Sequence, residues 1–147
     1  MVKRVPDPLN EEEVNKILDA AISNPRDYLI LRVLSRTGIR VGELYGVKKE
    51  GGWVHGIQKK DIDVKRKRLW VFTLKKRKYA RREVLVDDAT VVLLQTKISD
   101  MKQEDYVFRK DLSYRQIQRL PLKYAKMVGI DKNVSCHSFR HFFITNT

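Results

Sequence analysis

The stretch that decides the fold is KRLWVFTLKKRKYARREVLVD, Lys67 to Asp87. Its two ends, KRLWVFTL and RREVLVD, are short and rich in residues that suit a half-buried pleated surface. The basic turn KKRKYAR joins them, and it reads as a long connection. GGWVHGI, residues 51–57, has the same texture as the two ends. Three strands of a small antiparallel sheet are therefore predicted, with turn or charge clusters between them.

Helical patterns flank the sheet on both sides. In PDPLNEEEVNKILDAAIS, Asn10 and Glu13 form a capping box, and Val14, Ile17, Leu18, Ala21 and Ile22 follow a helical stripe. In NPRDYLILRVLSRTG, Asn24 caps, Pro25 occupies the first turn and Gly38 ends the helix. A short helix, RVGELYGV, follows at once. After the strands, DDATVVLLQTKISD places Val91, Leu94 and Ile98 on one face. SYRQIQRLPLKYAKMVG is a further helix in which Pro121 predicts a kink or a later start, because proline removes a donor and crowds the preceding turn. A last helix opens near Ser135. The fold class predicted is α+β, mainly helical, in one domain.

Composition narrows the function. The chain has 147 residues, 42% hydrophobic and 33% charged, which suits a folded globular domain. No apolar run is long enough to span a bilayer, and the opening MVKRVPDPLNEEEV lacks the apolar core of a secretory signal. Cys136 is the single cysteine, so no disulfide framework is expected and the cytoplasm is the default location. Lys and Arg number 31 against 18 Asp and Glu, a net charge of +13 that favours a polyanion such as nucleic acid. The excess is concentrated: Lys65, Arg66, Lys67, Arg68, Lys75, Lys76, Arg77, Lys78, Arg81 and Arg82 fall between Val64 and Arg82 with no acid among them. Apart from Lys75, these are the candidate DNA-binding residues, and the competing reading is a solvated basic surface.

Two stretches carry candidate chemistry. In TGIRVGEL, Thr37 to Leu44, one helix ends and another begins, so Arg40 falls at a helix N-terminus, where backbone N–H groups favour an anion. Its planar guanidinium suits two phosphate oxygens, and Glu43 lies three residues on, placed to hold it. The alternative is a surface Arg–Glu pair. In CHSFRH, His137 and Arg140 share the first turn of the last helix, with His141 beside them. A His–Arg pair at a helix start joins an anion site to a proton-transferring group. His137 and His141 also have the spacing of paired zinc ligands. Ser138 stands where a metalloprotease motif has Glu, and no cysteine cluster accompanies them, so no metal site is expected.

The order TGIRVGEL, then a strand–turn–strand with lysine, then SCHSFRHFFIT resembles the catalytic domain of the tyrosine recombinases, the phage-type integrases and Xer-type recombinases. DPLNEEEVNKILDAA is similar to the helix that opens that domain, and the resemblance runs from about Leu9 to Thr145. It implies that Arg40 and Arg140 are the two catalytic arginines, His137 the HxxR histidine, and Lys75, preferred over Lys76, the hairpin lysine. Glu43 and His141 match supporting positions, and KKEGGWVHGIQ reads as an insertion ahead of Asp61.

The implied activity is site-specific DNA integration and recombination through a 3′-phosphotyrosyl intermediate. The implied partners are double-stranded DNA and other recombinase protomers, with no cofactor, metal or membrane. The family pattern continues with a nucleophilic tyrosine beyond the HxxR helix, whereas all six tyrosines here precede His137. The expectation is thus a partial catalytic domain over residues 1–147. It would lack the N-terminal DNA-clamping domain and the tyrosine-bearing segment, which a separate fragment would have to supply. The alternative is a non-catalytic DNA-binding module, or a split or decayed integrase, that binds DNA or regulates a full-length recombinase. The coding frame beyond Thr147 is the observation that separates them.

Overall fold

The computed structural model describes residues 7–146; residues 1–6, part of the opening that reads as signal-free, and Thr147 lie outside them. The chain divides into two compact units. One is built from the residues up to Arg40 together with those from Arg115 onward; the other is Val41–Tyr114.

The first unit is helical. Helix α1 (Glu11–Ala20) starts at Asn10, whose side chain accepts from the Glu13 amide while Glu13 accepts from the Asn10 amide. Helix α2 (Pro25–Thr37) is capped by Asn24 and ends at Gly38 in the left-handed region, φ 70°. Helix α5 (Tyr114–Met127) contributes to this unit from Arg115 on, and helix α6 (Cys136–Thr145) starts at Ser135, which exchanges hydrogen bonds with Ser138. The core is formed by Val14 and Ile17, Leu31 and Leu34, Ile117 and Phe139, each essentially solvent-free.

The proline in α5 neither stops nor delays the helix, which runs through Pro121. Its missing N–H deprives the Ile117 carbonyl, four residues earlier, of a helical donor. The buried Cys136 thiol points to that carbonyl at 3.9 Å as a weak substitute. Burial pushes the Cys136 pKa up to about 12, so the sulfur keeps the proton it donates.

The second unit holds the strands. Helix α3 (Val41–Tyr45) leads into β1 (Val47–Lys49) and β2 (Gly52–Val54), which form a hairpin of their own. A 3₁₀ turn at Lys59–Asp61 precedes β3 (Ile62–Asp63), β4 (Arg68–Lys75) and β5 (Lys78–Leu85), and helix α4 (Asp88–Ile98) follows, capped by Asp87. The three-stranded sheet is antiparallel in the order β3-β4-β5.

GGWVHGI is thus not the first strand of that sheet. Its Gly52–Val54 segment pairs with Val47–Lys49, and the two-residue β3 takes the sheet's edge through Ile62↔Leu69 and Asp63↔Arg68. The long turn is also corrected. Lys75 pairs with Lys78, so only Lys76 and Arg77 lie in the loop. Both have positive φ, 49° and 66°, the backbone of a type I′ turn, whose twist matches that of the flanking strands. Leu44, Ile57, Leu69, Val71, Leu94 and Val107 are buried within this unit. Among the described residues no helix is long and apolar enough to cross a membrane.

Candidate functional site

The Arg40 stretch begins where α2 ends. Gly38 closes the helix with its N–H on the Leu34 carbonyl at 3.2 Å, and Thr37 bonds back to the Val33 carbonyl at 2.5 Å. Ile39 is completely buried, and Arg40, the next residue, is exposed directly ahead of α3. The burial of Ile39 fixes the backbone from which the arginine projects.

Helix α6 supplies the second stretch. Cys136, Phe139 and Phe142 are buried at helical spacing, which leaves His137 and His141 exposed and Arg140 half-buried. The Arg140 guanidinium donates from Nη1 to the Gly38 carbonyl at 2.6 Å. This bond ties the HxxR helix to the turn that carries Arg40, two residues along the chain. The fit is close: a Cβ on Gly38 would lie 2.3 Å from Phe143 Cδ1. The HxxR stretch and the Thr37–Arg40 part of TGIRVGEL are therefore neighbours inside one unit, while Val41–Leu44 belongs to the other. Among the described residues no group of three or more His, Cys, Asp or Glu side chains could hold a metal ion.

Glu43 and Lys75 belong to the other unit. Glu43 is buried at 4% exposure. It accepts from Arg82 Nε at 3.2 Å and Nη2 at 3.1 Å, and from the Thr73 hydroxyl. Arg82 Nε also reaches the Thr73 hydroxyl at 2.7 Å. Lys75 is exposed at the end of β4, two residues beyond Thr73 and on the same face of the strand. Thr73 was invisible from sequence as a site neighbour, because its link to Glu43 spans 30 residues.

The ten basic residues separate into two sets. Arg66 and Arg68 share Glu83, Lys67 meets Asp88 at 2.6 Å, Arg81 meets Asp61 at 3.1 Å and Arg82 holds Glu43. Lys67–Asp88 is exposed on both sides and contributes about 0–1 kcal/mol, whereas Glu83 is part-buried and Asp61 and Glu43 are buried beneath their arginines. Lys65, Lys75, Lys76, Arg77 and Lys78 are exposed, and among the described residues none of the five has an acidic partner. Four of them cluster at one hairpin tip, where uncompensated charge meets a polyanion at least cost.

Residues 8–146 match the Phage integrase family. A tyrosine recombinase from Pseudothermotoga lettingae is 31% identical over 98% of this chain and 48% of its own length. The tyrosine recombinase XerA of Saccharolobus solfataricus is 34% identical over 93% of this chain and 41% of its own. The chain thus spans about half the length of the curated relatives it matches. Among solved structures, a XerA recombinase superposes with a TM-score of 0.76 at 28% identity, covering 99% of this chain and 50% of that one. A lambda integrase dimer bound to a COC′ core site shares the fold, with a TM-score of 0.69 at 20% identity over 98% of this chain and 53% of that one.

Proposed function

This chain belongs to the phage integrase family of tyrosine recombinases, and from that premise we propose that it acts in site-specific DNA recombination and integration as part of a strand-cleaving and rejoining enzyme. Arg40 and Arg140 bind the non-bridging oxygens of the scissile phosphate and stabilise the charge that develops on them. A tyrosine outside these 147 residues attacks phosphorus, and the bond to the 5′-oxygen breaks. Lys75 gives its proton to the departing oxygen, and His137 exchanges a proton with, or hydrogen-bonds, the phosphate. Glu43 and His141 support these groups. Lys65, Lys76, Arg77 and Lys78 hold the DNA backbone, and Arg66, Lys67, Arg68, Arg81 and Arg82 add to the positive field while held by their acids. The energy of the broken bond stays in the protein–DNA link, so no cofactor is required. Duplex DNA and further recombinase protomers are the partners, and the cytoplasm, where DNA is accessible, is the location.

The observation that carries this reading is the Arg140 bond to the Gly38 carbonyl at 2.6 Å, which brings the HxxR helix against the Arg40 turn. The test uses Arg40→Ala and Arg140→Ala in an enzyme completed with the tyrosine-bearing segment. Cleavage of attachment-site DNA should fall roughly 10²–10³-fold, as for removal of one transition-state donor, while duplex affinity of the 147-residue chain changes by a few-fold. Equal losses of cleavage and affinity would make both arginines ordinary phosphate contacts. They would favour the alternative, a DNA-binding module that regulates a recombinase.

A further inference from the structure

The β4–β5 ribbon that carries Lys75 is gripped on both faces. On one face Glu43 of α3 holds Thr73 and Arg82. The other face carries Phe72 and, opposite Leu74, Tyr79. His55 sits there: its ring stacks on Tyr79 with centroids 4.1 Å apart and lies 4.7 Å from Phe72. Lys49 of β1 adds its ammonium 5.1 Å from the same Tyr79 ring.

His55 reaches this position at a backbone cost. Its φ is 62°, a left-handed conformation that few non-glycine residues adopt and that persists only where the surroundings enforce it. The enforcement comes from Arg109. Its guanidinium donates to the carbonyls of Tyr45 at 2.6 Å, Trp53 at 3.3 Å and His55 at 2.6 Å. Arg109 lies over the Tyr106 ring at 3.6 Å. It passes so close to Gly46 that a Cβ there would lie 2.1 Å from Nη2. One side chain thus fixes the end of α3, the β1–β2 hairpin and the His55 backbone together. Burial, with Lys49 and Arg109 nearby, holds the His55 pKa below its ordinary value.

We propose that His55 is a positioning residue for Lys75: with Glu43 on the opposite face, its stack on Tyr79 and Phe72 fixes the hairpin from which the lysine delivers its proton. The inference rests on the role given to Lys75 above. The segment containing His55 reads in the sequence as an insertion, and the structure supplies it with a mechanical task. The ribbon's last gripped pairs are Thr73↔Ala80 and Leu74↔Tyr79, and Lys75↔Lys78 is the next rung. Loss of the grip on the Tyr79 face frees the tip that carries Lys75 and leaves the buried Leu69 and Val71 in place.

The test has two arms. In hydrogen exchange on the 147-residue chain, His55→Asn keeps a side chain that tolerates the left-handed backbone but removes the aromatic face, while His55→Phe keeps the stack. His55→Asn should speed exchange of amides 73–80 about three- to tenfold, the factor that loss of one aromatic pair converts to, with residues 69–71 unchanged and His55→Phe close to wild type. Wild-type exchange in His55→Asn would overturn the proposal.

The second arm measures cleavage by the completed enzyme on DNA with an ordinary 5′-oxygen or a 5′-sulfur at the scissile bond; sulfur leaves as a thiolate and needs no proton. His55→Asn and Lys75→Ala should both be slow on oxygen and both recover on sulfur. A purely structural role for His55 slows both substrates alike, and that result refutes the proposal if Lys75→Ala still recovers. Failure of Lys75→Ala to recover removes the proton-donor role itself, and the exchange arm then decides alone whether His55 holds the hairpin.

Discussion

Replacing Gly38 by alanine tests the joint between the two arginine stretches. Gly38 has φ 70°, and an added Cβ would lie 2.3, 2.8 and 3.1 Å from Cδ1, Cγ and Cβ of Phe143. Because the Phe143 Cβ is among the clashing atoms, a ring rotation alone does not clear the space; α6 or the α2 end must shift. The left-handed alanine costs about 1–2 kcal/mol, and the overpacking adds about 1–3 kcal/mol. Gly38→Ala should therefore destabilise by about 2–5 kcal/mol, read from urea unfolding at unchanged m-value. Phe143→Ala removes the obstruction. The double variant should then be more stable than the sum of the singles by about 1–3 kcal/mol, the overpacking share. Cleavage should follow the same pattern, since the Gly38 carbonyl anchors Arg140. Additivity of the two substitutions within about 0.5 kcal/mol would show that they do not meet, and the packing explanation of the joint would fail with it.

Other substitutions address the second unit and the buried polar groups. Glu43→Ala strands Arg82 and the Thr73 hydroxyl; because Arg82 is 39% exposed, the loss should be nearer 2 kcal/mol than the roughly 3–5 kcal/mol of a fully buried pair, measured by thermal unfolding, and a loss under about 0.5 kcal/mol would mean water replaces the carboxylate freely. Tyr124 donates to Asp27 at 2.5 Å, and burial, reinforced by that bond, pushes its pKa from 10.0 to about 12. Its raised pKa contributes stability that is present below pH 10 and lost as pH rises toward 12, so Tyr124→Phe should remove that part of the alkaline decline in unfolding free energy. Lys76→Asn with Arg77→Gly puts the favoured type I′ pair into the hairpin turn. Thermal stability should rise while duplex affinity falls and the slope of log affinity against log salt drops by about 0.9 for each phosphate no longer neutralised; an unchanged slope would mean that this tip does not touch DNA.

The helices were legible because their signals are local. Asn10 with Glu13 and Asn24 with Pro25 and Gly38 act within a few residues and form as read, and the last helix opens at Ser135 as expected. The two arginine stretches were legible for the same reason, since each is a short run at a helix boundary. The sheet edge was not. GGWVHGI looks more like a strand than Ile62–Asp63 does, yet pairing is decided by which backbone lies alongside β4, and two residues leave almost no compositional trace. The partners of the basic residues were hidden by distance in sequence: Arg82 to Glu43 spans 39 positions, and Arg109 reaches the Tyr45 carbonyl 64 positions away. The basic run therefore read as uniform charge, although half of it is held by the protein's own acids.

Local rules fail in this chain in a pattern. The non-glycine residues with positive φ among those described are His55, Lys67, Lys76 and Arg77, and all four lie in the Val41–Tyr114 unit. Turn chemistry alone would place Asn or Gly at such positions. Two of the four flank the Lys75↔Lys78 rung directly and a third stacks against the ribbon one rung below it. Strain that a stability criterion would have removed is retained where it keeps cations or an aromatic ring around one exposed lysine. Lys67 is the control. It shares the unfavourable backbone but lies at the other end of β4, paired with Asp88. Lys67→Gly should therefore stabilise the fold and weaken duplex binding by the charge it removes, with the cleavage rate at saturating DNA unchanged, whereas glycine at His55 should relieve the same backbone strain and still slow that rate.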